Sequence, residues 1–260
     1  NGTLVSGDLY ADGYNATWNG GAYGVIALDR TDASNWVVNT EAGLVELANL
    51  VNKGESTTGV TVKLAKDLDL ANKEFTPIGD SKVSTSNQYA FAGIFDGNGK
   101  TIKNLTVKES KPNNNTCYAG LFGILADGAT VKNLTVEGAY IEGYHCVGVI
   151  VGQMYSESHV IDCAVNNATV VCTNANNGAD DGDKAGVIAG ILNTAAGELS
   201  TIEGCKVSNS TVSAGRDAGQ IAGFGIATNV KDCTIENVKV SANGTGTGAN
   251  INDEPVGRKI

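Results

Sequence analysis

One phrase recurs along this 260-residue chain, and it limits the possible folds more than composition does. Ile102-Lys-Asn-Leu-Thr-Val107 returns as Val131–Val136, Val160–Val165, Ile202–Val207 and Val230–Ile235, with starts 29, 29, 42 and 28 residues apart. A second phrase precedes each copy: Ala92-Gly-Ile-Phe, Ala119-Gly-Leu-Phe, Val147-Gly-Val-Ile, Ala185-Gly-Val-Ile and Ala218-Gly-Gln-Ile. A third follows the last four: Gly138-Ala-Tyr-Ile, Asn167-Ala-Thr-Val, Asn209-Ser-Thr-Val and Asn237-Val-Lys-Val. Self-similarity of this length marks a stacked-repeat architecture.

The columns have a physical reading. In the middle phrase, positions one, four and six are apolar. Strand side chains alternate with period two, so the step from one to four requires a bend. Position three holds Asn104, Asn133, Asp162, Gly204 and Asp232, residue types that tolerate a left-handed backbone. Gly138, Asn167, Asn209 and Asn237 mark a second corner. Each repeat reads as three short strands separated by bends. The inward columns are Leu105, Leu134, Cys163, Cys205 and Cys233; Val107, Val136, Val165, Val207 and Ile235; and Ile141, Val170, Val212 and Val240. Thr106, Thr135, Ala164, Lys206 and Thr234 face outward between them. Apolar ladders inside and polar ones outside make a solenoid core. The expected fold is all-β: a single-stranded parallel β-helix over residues 59–241, with a cap region at 1–58 and a linker-like tail at 242–260. A sandwich of separate hairpins would not keep three registered columns.

The cap region contains the one helix expected, over about residues 40–53. Asn39 or Thr40 caps its start, Leu44, Leu47, Ala48 and Val51 share a face, and Gly54 ends it. A solenoid needs its open end covered, and this helix is the candidate cover. Tyr10, Tyr14, Trp18, Tyr23 and Trp36 pack the same region or form a sugar platform.

Composition removes several functions. The 28 acidic residues outnumber the 18 basic ones, for a formal net charge of −10, and no Lys/Arg cluster exists, against nucleic acid or an anionic membrane. No apolar run spans a bilayer. His145 and His159 lack zinc-site spacing, and no Gly-x-Ser-x-Gly elbow or phosphate loop occurs. Asp180-Asp181 is the one adjacent acidic pair in the repeats, but it falls in a Gly/Asn-rich loop rather than on a rigid element. We therefore assign no catalytic residue, cofactor or metal site. The loop 174–183 offers only weak calcium candidates in Asp180, Asp181 and Asp183, without EF-hand spacing. Cys163, Cys205 and Cys233 read as buried free thiols, because members of one ladder point the same way and suit a bridge poorly. Cys117, Cys146 and Cys172 cannot be paired from sequence.

Variable connections fall at Glu109–Tyr118, Glu142–Cys146, Val171–Lys184 and Ser213–Asp217, and in a stack they line one edge. That edge gathers Tyr144, His145, Asp180, Asp181, Asp183, Arg216 and Asp217, the candidate ligand-binding residues.

The runs Leu64–Leu70, Phe75-Thr-Pro-Ile-Gly79, Phe91–Ile102 and Gly120-Leu-Phe-Gly123 resemble the GLUG-motif repeat proteins over about residues 36–240. Later coils depart, placing the second glycine one residue later. The resemblance implies a right-handed parallel β-helix from large secreted or surface bacterial proteins, many adhesin-like and some labelled immunoglobulin A peptidases. The expectation is a noncatalytic, monomeric, adhesin-like module. It would be exported by a leader not present in this chain, and would bind an unidentified host protein or glycan. The alternatives are a carbohydrate-binding or polysaccharide-cleaving β-helix and a structural spacer.

Overall fold

The nine corner residues named from the sequence all adopt left-handed backbone, from φ 48° at Asn209 to 68° at Gly138. In the computed structural model, which describes residues 16–18, 23–80, 89–109, 117–174, 184–193, 199–226 and 228–242, these corners fold the chain into stacked coils. Corner side chains also bond along the stack: Asn237 Nδ2 donates to Asn209 Oδ1 at 2.9 Å, and Asn209 Nδ2 to Asn166 Oδ1 at 3.1 Å.

The architecture is mostly β, with parallel sheets that each take one strand from successive coils. The coil from Tyr118 to Gly143 supplies five strands, two more than the three expected. They are Tyr118–Ala119, Phe122–Leu125, Thr130–Lys132, Thr135–Glu137 and Tyr140–Gly143, which define sheets one to five. The extra strands arise because the first phrase folds sharply after Gly120, and because the strand before each Asn/Asp corner belongs to its own sheet.

The later coils stack as expected. Val131 pairs with Val160, Ile202 and Val230 in sheet three; Val136 with Val165, Val207 and Ile235 in sheet four; and Ile141 with Val170, Val212 and Val240 in sheet five. The first coil does not. Val131 stacks on Phe95, Val136 on Ile102 and Ile141 on Val107. Ile102–Val107 thus sits one corner further round than the copy it resembles: the Leu105 carbonyl accepts from Tyr140, and Asn104 lies beside Gly138. Leu105, Val107 and Thr106 therefore leave the columns given above. Ala92-Gly-Ile-Phe is likewise not equivalent to Ala119-Gly-Leu-Phe, since Ile94–Asp96 lies in sheet three. Any strand–Asn–strand unit has the same apolar pattern, so sequence likeness cannot tell one corner of a coil from the next.

The inward columns form one continuous core, with Leu134, Cys163 and Cys205 in one column. All six cysteines are free. Cys233 is only half-buried, a correction to the expected full burial: it lies in the last described coil, and among the described residues no rung lies beyond it. Each ladder thiol donates to the carbonyl two residues before it at 3.4 Å. Thiol–thiol hydrogen bonding with Cys163, together with burial, pushes Cys205 up to about 12.

The helix spans Glu41–Asn52. Thr40 caps it, its Oγ1 accepting from Gly43 N at 3.2 Å, and Leu44, Leu47, Ala48 and Val51 join the core. Gly43 has no alternative, because a Cβ there would lie 1.9 Å from the Ala27 carbonyl oxygen. At the far end, Asn52 Oδ1 accepts from Gly79 and Asp80, and its Nδ2 donates to Pro77 O, tying the helix to the first coil. Sheet three runs past the helix in sequence, through Asn35–Val38 to Leu28–Asp29.

Candidate functional site

Two buried glycine ladders bring two of the sheets together. Gly120, Gly148, Gly186 and Gly219 follow sheet one, and Gly123, Gly152, Gly190 and Gly223 lie in sheet two. A Cβ on Gly152 would stand 2.7 Å from Tyr118 Cβ, one on Gly190 2.4 Å from Val147 N, and one on Gly223 2.6 Å from Ala185 N. Sheets one and two therefore meet backbone to backbone, at a spacing only glycine allows. The one-residue shift of the second glycine is absorbed in the bend: Phe122 pairs with Val151, Ala189 and Ala222, so the glycines stay in register.

Two mostly buried ladders flank this contact on the side away from the main core. Tyr118, Cys146, Lys184 and Asp217 stack in sheet one, and Ile124, Gln153, Ile191 and Phe224 in sheet two. Tyr118, Cys146 and Ile124, with Ala90 and Ala126, form a second apolar cluster separate from the main core, and Ile191 packs against it.

The ligand edge expected from sequence coincides with sheet one, but its residues do not form one cluster. His145 is half-buried, its ring 5.5 Å from that of Tyr118 and its Nδ1 3.1 Å from Cys146 Sγ. Tyr144 is half-buried beside it. Arg216 and Asp217 lie two rungs further on, with Arg216 Nε 3.5 Å from Asp217 Oδ2. Asp180, Asp181 and Asp183 lie outside the described residues. No group of three or more His, Cys, Asp or Glu side chains is placed to hold a metal among the described residues. Of the proposed sugar platform, Trp36 is buried in the core beneath Arg30, whose guanidinium carbon stands 4.3 Å from the ring centroid.

Of the side chains that matter most here, sequence reasoning named Asp217 and missed Lys184, Gln153 and Phe224. Lys184 is 2% exposed and its Nζ makes no hydrogen bond. Asp217 is 5% exposed and its Oδ2 makes none either. The two are neighbours in register but form no ion pair with each other. Lys184 Nζ lies 5.2 Å from the centroid of the Phe224 ring. A buried ammonium costs several kcal/mol. A desolvated cation–π contact returns about 2 kcal/mol, so Phe224 offsets only part of that cost. Gln153 adds a buried amide on the opposite wall, one coil earlier. The available signal was positional: Tyr118, Cys146, Lys184 and Asp217 are the residues just before the repeated Ala119, Val147, Ala185 and Ala218. Burial holds the Tyr118 phenol well above its ordinary range, so it stays a neutral donor.

No family model matches this chain, and no curated protein is similar to it. Among solved structures, the fold is similar to that of a chain described as a "putative immunoglobulin A1 protease" from Bacteroides ovatus, with 17% identity and a TM-score of 0.51 over 88% of this chain and 82% of that one. At that identity the likeness carries the fold alone: a mostly-β chain of parallel sheets, consistent with a β-solenoid.

Proposed function

We propose that the chain is a right-handed parallel β-helix of the GLUG-motif kind, serving as a noncatalytic binding module of a bacterial surface or secreted protein. One observation carries this reading. The connections entering sheet one hold nine, two, eleven and two residues (109–117, 144–145, 173–183 and 215–216), yet the strands they join keep a single register. A constant scaffold with one variable edge is how repeat proteins build recognition. The ligand, a host glycan or protein, docks along that edge, near Tyr144, His145, Arg216 and Asp217. Export to the surface rests on the resemblance noted from sequence.

A glycan array run beside a reducing-sugar assay and a host-protein binding screen tests this. Binding without sugar release supports the module. Sugar release replaces it with a polysaccharide-cleaving enzyme, and silence in all three replaces it with a spacer.

A further inference from the structure

We propose that Cys205 and Cys233 bind one soft, two-coordinate metal ion, Cu(I), in a line between their sulfurs. The three ladder thiols sit alike on successive rungs. Each sulfur lies 3.4 Å from the carbonyl oxygen two residues before it. Cys163, Cys205 and Cys233 also lie 3.8, 3.6 and 3.8 Å from the carbonyl oxygens of Val131, Val160 and Ile202 on the preceding rung. Equal placement keeps neighbouring sulfurs within one rung spacing of each other, about 4.8 Å. Cys205 makes thiol hydrogen bonds with both of its neighbours. A disulfide fits this ladder poorly, because its side chains point the same way. A linear ion fits it well: two metal–thiolate bonds of about 2.3 Å span about 4.6 Å. Parallel side chains then meet the sulfur–metal line nearly at right angles, the bent geometry of a two-bonded sulfur.

The surroundings choose the ion and the pair. Both cysteines lie in the core with Ile202, Val207, Val230 and Ile235, which bring no further side-chain ligand. Among the described residues no third His, Cys, Asp or Glu joins them, so a four-coordinate zinc site cannot form. Two thiolates alone suit Cu(I). Cys233 is half-buried in the last described rung, so an ion meets its sulfur from solvent and finds Cys205 next in line. Uptake releases two thiol protons and leaves one net negative charge. That charge costs least at the half-buried rung, which selects Cys205 with Cys233 over Cys163 with Cys205. Mutual contact and burial hold both thiols protonated, so affinity rises with pH.

Anaerobic titration of the reduced, intact protein with Cu(I) in competition with the chelator bicinchoninate tests the site. One Cu(I) should leave the chelator per chain, bind more tightly as pH rises, and raise the Tm. X-ray absorption of the loaded protein should show two sulfur neighbours. Cys233→Ala, at a half-buried position, should weaken binding about a hundredfold or more without unfolding the chain. Cys205→Ala should do the same, and Cys117→Ala should change nothing. Failure to withdraw Cu(I) from the chelator overturns the proposal, as do three or more sulfur neighbours. Affinity that survives Cys233→Ala, or that falls equally with Cys117→Ala, also overturns it.

Discussion

The two ends of the stack are built differently. At the first end, the helix Glu41–Asn52 lays Leu44, Leu47, Ala48 and Val51 on the core, and Leu64, Leu68 and Phe75 beneath are buried. At the last described coil, Val230, Cys233, Ile235, Val238 and Val240 are only partly buried, although Ile202, Cys205, Val207 and Val212 one rung earlier are fully so. The strands Thr228–Lys231, Thr234–Glu236 and Lys239–Ala242 each end their sheet. Identical residue types thus differ in environment through rung position alone. Burial in a solenoid is a property of neighbours, and among the described residues the last rung has one neighbour where others have two.

The largest expected effect contrasts equivalent truncations at the two ends. Leu47→Ala removes a fully buried side chain at the covered end and should cost roughly 2–5 kcal/mol by urea denaturation. Ile235→Ala, half-buried at the other end, should cost less than half as much. Equal losses would mean that the last rung is covered as well as the first.

Alkaline pH sharpens the contrast along the thiol ladder. Cys205 is held protonated in the fold, its value raised from 9.0 to about 12 by hydrogen bonding with Cys163 and by burial. A raised folded value means its stabilisation is complete below the unfolded value and is lost as pH climbs. Denaturant midpoints should therefore fall between pH 9 and about 12, and Cys205→Ala should flatten that fall. An unchanged pH slope in the variant would remove the ladder as its source.

Corners give a smaller effect. Asn133, φ 53°, should lose about 1–2 kcal/mol on change to Val and almost nothing on change to Gly. Asp232, φ 55°, bends only the last rung, and Asp232→Val should cost less. Equal losses for Val and Gly at position 133 would count against left-handed strain as the cause.

Much of this was legible in the sequence, for identifiable reasons. Asn, Asp and Gly corners are visible because few residues accept positive φ, and apolar columns are visible because the core repeats. The alignment of Ile102–Val107 with Val131–Val136 misled because a coil contains two similar corners, and local likeness does not say which one is occupied. Lys184, Gln153 and Phe224 escaped notice because their ladders mix residue types: nothing in Tyr118, Cys146, Lys184 and Asp217 suggests a column until the backbone stacks them. Cys233 was misjudged because its column was legible and its place in the last described rung was not.

Cysteine labelling of the native protein, followed by peptide mass spectrometry, tests the central claim that these residues form one registered stack whose last described rung is less buried than those before it. Cys163, Cys205 and Cys233 occupy successive rungs of one column. The account predicts that Cys233 labels first, while Cys205 and Cys163 stay protected until unfolding. Fast labelling of Cys163 or Cys205 alongside Cys233, or a mass showing two of them bridged, would contradict it.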